Sequence, residues 1–278
     1  MTPGTLYVVA TPLGNLGDLS PRAAELLRSV PVVAAEDTRR TRNLLSHLGA
    51  SPRLTSYHGH SDARRLEALL EILQEGRDVA LVSDAGTPLV SDPGAELVAA
   101  VRAAGVRVVP VPGPSAVAAV LSAAGLPADR YLFLGFIPRK GAERRRLLAR
   151  AATEEWTSVF FEAPGRLGSL LADLAAEVGL EREAVVAREV TKLHEEFRAG
   201  SLGELLAHFG DAEVRGEVTV AVRGTGQPPE PPDRSEQAGV LATALLAEGH
   251  SRKETVRMVV EALDLPRNEA YRLVMALP

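Results

Sequence analysis

Short apolar runs recur along the chain and alternate with longer stretches in which apolar residues return every three or four positions. The short runs predict strands at Leu6–Ala10, Val32–Ala35, Leu54–Tyr57, Val79–Val82, Val106–Val109, Tyr131–Leu134, Ser158–Phe161, Ala184–Ala187 and Glu217–Val222. The longer periodicity predicts helices over Pro21–Ser29, Thr38–Leu48, Ala63–Glu75, Gly94–Ala104, Gly141–Ala152 and Arg166–Val178. Several of the strand runs are apolar throughout, as strands covered on both faces are. Alternation of β and α segments predicts mostly parallel, helix-covered sheets.

The alternation stops at Gly224–Arg234, GTGQPPEPPDR, which has the composition of a Pro-rich linker and holds no core-forming residue. Beyond it, Ser235–Leu277 predicts three short helices. The first ends near Gly249 and His250, the second is capped by Ser251 with Glu254 three residues on, and the third begins at Leu265-Pro266. Tight turns between short helices suit a helix-turn-helix-like module. Val111–Ser115, VPGPS, is a turn-rich joint between two α/β halves. The expected division is therefore 1–112 and 113–224 for two α/β domains, 225–234 for a linker and 235–278 for the helical module.

Composition narrows the function classes. The 278-residue chain has no cysteine, which excludes disulfides and thiolate metal sites. No run approaches the length of a membrane span, and the start MTPGTLYVVAT lacks the pattern of a signal peptide, so a cytoplasmic protein with no membrane partner is expected. The formal net charge is −5, yet the cations cluster: Arg39, Arg40 and Arg42 form one group, and Arg139, Lys140, Arg144, Arg145, Arg146 and Arg150 another. A solvated helix face is the simpler reading of an Arg-rich helix; the second group is set apart by following a Gly/Pro-bearing loop.

Candidate chemistry concentrates where loops leave predicted strands, the place where open α/β sheets hold ligands. Ser83–Gly94, SDAGTPLVSDPG, carries two Gly, two Pro and two Asp in twelve residues, more than a plain turn requires. Asp84 is suited to accept from an amine or ribose, and the small residues after it let backbone N–H groups approach a ligand. Thr11–Asp18, TPLGNLGD, is neither the dinucleotide fingerprint nor a P-loop, and either lines a cleft or merely reverses the chain. Pro110–Ala116 places Ser115 where it can cap a helix or touch a ligand. Charged groups also stand at strand ends: Glu36-Asp37-Thr38-Arg39, Glu162 with Arg166, and Arg188-Glu189 before Lys192. A buried Arg–Glu pair accounts for some of these, though three in one chain are too many for that alone. No nucleophile–base pair of covalent catalysis is present. His58 and His60 have a spacing two metal ligands can use, but no third ligand accompanies them, so no metal is expected.

Taken in order, TPLGNLGD, AAEDTRRT, VALVSDAGTPLVSDPG, VVPVPGPSA, LSAAGLPADRYLFLGFIPRK, FFEAPGR and AREVTK resemble the tetrapyrrole-methylase superfamily, and within it the ribosomal RNA small-subunit methyltransferase I family. The resemblance covers Thr5 to Gly224, and the last three helices are similar to that family's helix-turn-helix extension. It implies an α/β, class III methyltransferase fold of two α/β domains with the cofactor cleft between them, plus a small C-terminal helical module. It also implies a homodimer that uses S-adenosylmethionine to methylate the ribose 2′-oxygen of a decoding-centre cytidine in 16S rRNA, within the 30S subunit. Carried over by motif, the donor contacts are Leu13, Asp84, Ala85, Gly86, Thr87, Leu89, Ser115, Ala116 and Phe161. Glu36, Asp37 and Glu162 are the candidate bases or orienting groups. Arg39, Arg139, Lys140, Arg144, Arg145, Arg146, Arg166 and Arg188 are the expected RNA contacts. The chain departs from the family at Gly165, where a His is usual, so no catalytic role is expected of that position. A tetrapyrrole C-methyltransferase, or a non-catalytic RNA-binding factor with a vestigial cleft, are the alternatives.

Overall fold

A computed structural model describes residues 2–59, 63–227 and 235–277; His60 and residues 228–234 of the predicted linker lie outside them. The chain forms two compact units that part at residues 228 and 229.

The first unit contains both sheets. Strands β1 (Thr5–Val9), β2 (Val32–Ala35), β3 (Arg53–Ser56), β4 (Val79–Val82) and β5 (Arg107–Val111) form a five-stranded sheet in the order β3-β2-β4-β1-β5. Every pairing in it is parallel. Its strands send alternate side chains to opposite faces, and both faces are covered. Val32, Ala34, Val79 and Leu81 join one core, under helices α3 (Ala63–Gln74) and α4 (Ala95–Ala103). Val33, Ala35, Ala80 and Val82 join the other, under α1 (Pro21–Ser29) and α2 (Thr38–His47). That two-sided burial is why these strands read as unbroken apolar runs.

The second sheet, in the order β6-β7-β10-β8-β9, corrects the expectation of mostly parallel pairing. It contains β6 (Tyr131–Phe136), β7 (Thr157–Glu162), β8 (Glu183–Arg188), β9 (Glu196–Ser201) and β10 (Val218–Val222). Only β6 and β7 run parallel; β7/β10, β10/β8 and β8/β9 are antiparallel. The reason is connection length. Residues 189–195 are too few for a crossover, so β8 can return only as a hairpin. Helix α5 (Ala116–Ala124) packs Val117, Val120 and Leu121 on one face of this sheet, against Val159, Ala187 and Ala221. The other face is covered by α6 (Ala142–Thr153), α7 (Leu167–Val178) and α8 (Leu202–Phe209).

The second unit has the three helices expected: α9 (Ser235–Ala247), α10 (Arg252–Leu263) and α11 (Arg267–Ala276). Ser251 and Glu254 form a reciprocal capping box at the start of α10. The Arg252 guanidinium donates to the carbonyls of Val274 (2.8 Å) and Leu277 (3.0 Å), closing the end of α11 onto α10.

Candidate active site

The loop that leaves β4 begins by tying itself to the end of its sheet neighbour β2. The Asp37 N–H donates to Asp84 Oδ1 at 2.9 Å, and the Asp84 N–H donates to the Glu36 carboxylate at 3.3 Å. Arg40 Nε stands 3.6 Å from Asp84 Oδ2. Gly86 is bridged to Thr11 by two backbone hydrogen bonds, of 2.8 and 3.0 Å. It holds φ at +78°, and a Cβ there would come within 3.1 Å of Leu13 Cδ2. Only glycine allows both the left-handed turn and this approach. The Thr87 hydroxyl donates to the Pro114 carbonyl at 2.9 Å, joining this loop to the one before α5. Thus the loops after β1, β4 and β5, predicted separately, converge.

They enclose, with the ends of β7 and β10, a cavity of about 390 Å³. Leu13, Asp84, Ala85, Gly86, Thr87, Ser115, Ala116 and Phe161 all line it, as do Glu36 and Glu162. Leu89 does not: it packs on the core beside Leu81, where a Cβ at Gly94 would meet both. Asp37 does not either. It accepts from Arg39 through backbone and side chain, and that partnership holds its carboxyl down at about 2.

Sequence reasoning missed part of the lining: Val90, Ser91, Asp92, Phe136 and Gly216 to Thr219. Asp92 and Phe136 stand in motifs already singled out, SDPG and LGFIPRK, and can be found there. Glu217 carries no comparable signal, because it enters the cavity only through the antiparallel placement of β10.

Five carboxylates, Glu36, Asp84, Asp92, Glu162 and Glu217, share this cavity. Burial first, and then the charges of Glu36, Asp84 and Glu217, push Asp92 up to about 6 against an opposing hydrogen bond from Ser83. Burial likewise raises Glu36, against the hydrogen bond it accepts from the Asp84 N–H; the Asp84 and Asp37 charges add to the rise and Arg40 opposes it. The same cavity is lined by two aromatic rings, Phe136 and Phe161, which meet edge to face at 5.5 Å. Glu162, next to Phe161 in β7, is buried. Its Oε1 pairs with Arg166 and accepts from the Ala163 N–H at 2.7 Å, while Oε2 has no partner among the described residues.

The AREVTK segment braces the first loop. Asn15 N–H donates to the Thr191 hydroxyl at 3.2 Å, and Gly14 lies so close to the Lys192 stem that a Cβ would fall 2.2 Å from it. Lys192 in turn holds Glu189 (2.8 Å) and Glu217 (3.1 Å).

The basic residues divide. Arg139, Lys140 and Arg145 are exposed, and Arg39 and Arg146 are exposed in local pairs with Asp37 and Glu143. Arg144 instead turns inward: 8% exposed, it donates to Asp173 Oδ2 at 2.7 Å and to the Pro138 carbonyl at 3.0 Å, which fixes the loop to α7. Arg166 and Arg188 are partly buried in pairs with Glu162 and Glu196. Among the described residues no three acidic or imidazole groups gather as a metal would need, and no helix is long and apolar enough to cross a membrane.

Comparison with known proteins agrees with this architecture. The profile of the Tetrapyrrole (Corrin/Porphyrin) Methylases matches residues 5–206. Among solved structures, the chain is similar to a uroporphyrin-III C-methyltransferase from Thermus thermophilus, at TM-score 0.57 and 25% identity over 78% of this chain and 94% of that one. It is also similar in fold to the cobalt precorrin-4 methyltransferase CbiF, at TM-score 0.61 and 19% identity over 79% and 94%. Sequence relatives are nearer. A protein of Synechocystis sp. named ribosomal RNA small subunit methyltransferase I is 44% identical over 99% of this chain and 98% of its own length. Its namesakes from Micromonospora olivasterospora and Escherichia coli O157:H7 are 47% and 45% identical, each over 98% of this chain. The chain belongs to the ribosomal RNA small subunit methyltransferase I family, within the tetrapyrrole methylases.

Proposed function

We propose that this protein transfers a methyl group from S-adenosylmethionine to the ribose 2′-oxygen of a decoding-centre cytidine in 16S rRNA. The observation that carries the reading is the cavity lining, which combines five carboxylates with an edge-to-face phenylalanine pair. That donor set fits S-adenosylmethionine, whose sulfonium and ammonium are cationic and whose adenine offers a flat aromatic face. Asp84, Asp92 and Glu217 would oppose its positive charge, Phe136 and Phe161 would flank its base, and the small Ala85, Gly86 and Ala116 would leave room for it. Bound there, it supplies an activated methyl on sulfur.

The residues of this chain then position the acceptor and take its proton. Holding two reactants in line can contribute about 7–11 kcal/mol to lowering a barrier, which makes positioning the larger share of the work. As the 2′-oxygen gains the methyl its proton must leave, and Glu36 is the group we assign to receive it. Glu36 lines the cavity and is raised from its ordinary value, chiefly by burial, which favours a base. Asp37, held at about 2 by Arg39, is a poor base.

The test is transfer of labelled methyl to 30S subunits lacking the modification, with the label mapped to a nucleotide. Label on a decoding-centre cytidine ribose is the expected result. Label on a tetrapyrrole and none on RNA would overturn the choice of acceptor, and failure to bind S-adenosylmethionine would leave an RNA-binding factor without catalysis. Glu36→Gln should lower single-turnover methylation about 10²–10⁴-fold with donor affinity retained. Unchanged single-turnover rates would remove Glu36 as base.

A further inference from the structure

A methyl acceptor has to reach the donor, so its own binding site must share a wall with the donor cavity. A second cavity, of about 230 Å³, does so: it has Leu13, Arg40 and Asp84 in common with the first. It lies between the first loop and α2, and beyond Thr11, Gly14 and Thr41 its remaining lining is of two kinds. Pro12, Leu16 and Leu44 are apolar, with Leu16 46% exposed. Asn43 and Ser83 are polar, and Asn43 is exposed on α2. Arg39, Arg40 and Arg42 follow one another along the start of the same helix, all exposed.

We infer that this second cavity receives the acceptor as a single unstacked nucleotide. The inference rests on the reading under Proposed function and adds where the substrate sits. Apolar side chains offer the faces of a base the surroundings that stacking supplies in RNA, while an amide can meet a base edge with both donor and acceptor. Guanidinium groups at the rim match the phosphates on either side of the nucleotide. Arg40, which lines both cavities and stands beside Asp84, marks the point where the ribose meets the donor. A small cavity with one polar lip takes one base out of its strand; it has no room for a stacked run. Recognition of unpaired, splayed bases is the usual way RNA is read by sequence.

The test uses the full chain and a decoding-centre RNA hairpin carrying 5-iodocytidine at the acceptor position. Irradiation should cross-link the base to residues 12–16 or 40–44. Asn43→Trp, which fills the cavity from the side remote from the donor, should abolish that cross-link. It should also lower kcat/KM for RNA at least tenfold and leave S-adenosylhomocysteine binding by calorimetry within twofold. Leu16→Ala, a truncation at an exposed site, is expected to weaken the cross-link several-fold and provides a second reading if the Trp variant does not fold. Cross-links confined to residues 139–146, or kcat/KM within twofold for both variants with donor binding intact, would overturn the inference alone. A wild-type chain that binds neither S-adenosylhomocysteine nor S-adenosylmethionine would overturn the functional reading and this inference with it.

Discussion

Asp92 allows the cost of the acidic cavity to be measured. Its carboxyl is pushed from 3.8 to about 6, first by burial and then by three neighbouring carboxylates. At 1.36 kcal/mol per pH unit the difference corresponds to about 3 kcal/mol held against the ionised form. Asp92 is only partly enclosed, so solvent screening reduces this to about 1–2 kcal/mol. Because the folded value lies above the unfolded one, folding is favoured while the group is protonated, and that advantage is lost as pH rises from 3.8 through about 6. Asp92→Asn keeps the shape and removes the charge. The variant is expected to be more stable than the wild type by about 1–2 kcal/mol at pH 8 and by roughly half of that at pH 5. Urea unfolding followed through the single tryptophan, Trp156, at the start of β7 reads this directly. Donor binding should change in the opposite sense: S-adenosylmethionine affinity at pH 8 is expected to fall about tenfold, or ~1.4 kcal/mol. A stability gap that is equal at the two pH values, or a variant less stable than the wild type at pH 8, would refute the electrostatic account.

Other substitutions separate packing from chemistry. Glu162→Ala leaves Arg166 without its buried partner and should cost about 3–5 kcal/mol by urea unfolding, against well under 1 kcal/mol for an ordinary surface pair. Gly94→Ala forces a side chain into φ +131° and to 2.8 Å from Leu81 Cδ2, with an expected loss of about 1–3 kcal/mol in the same assay. Arg144→Ala should lower stability by about 2–4 kcal/mol without altering the salt dependence of RNA binding, because its guanidinium is spent on Asp173 and Pro138. Arg145→Glu, on the exposed neighbour, should do the reverse, reducing the slope of log affinity against log salt by about one or two.

The centre of the first sheet was readable because burial on both faces leaves an apolar run with no polar interruptions, so even four-residue strands such as VVAA and VALV stand out. β9 escaped because it is an edge strand, EFRAGS, whose side chains are at most half-buried and whose pattern therefore carries no core signal. The antiparallel order of the second sheet escaped for a different reason. It depends on which loops are too short to cross over, and a missing β9 made the β8–β10 connection look long enough. The cavity followed the same division. Loops after parallel strands announced themselves by Gly, Pro and Asp, and seven of the eight donor positions that the family motifs place there line it, as does Phe161 in β7. Glu217 and Val218 reach it only through the register of β10, which no local motif reports. Arg144 shows the limit of reading charge by cluster, since one cationic position on a helix of about three turns can face the core and sequence spacing alone did not select it.

Backbone strain and charge repulsion fall in the same places. Five non-glycine residues among those described hold positive φ, and four of them, Leu89, Ser91, Glu189 and Thr191, stand in the two loops that flank the cavity. Left-handed backbone costs a side-chain-bearing residue of order 1–3 kcal/mol unless its surroundings impose it. Here the surroundings are identifiable: Gly94 lets Leu89 seat against Leu81, and the Lys192–Glu189–Glu217 pairs hold the second loop. Without Lys192, Glu189 and Glu217 would face each other across the hydrogen bond that joins the Glu217 N–H to Glu189. Lys192 therefore acts twice, offsetting acidic charge at the cavity edge and bracing the first loop through its stem at Gly14. A site that concentrates like charges on twisted backbone gains from a cationic ligand in a way that a relaxed site does not, because the ligand relieves a repulsion the fold already bears. On this view the acidic cavity is arranged for a positively charged donor before any donor arrives.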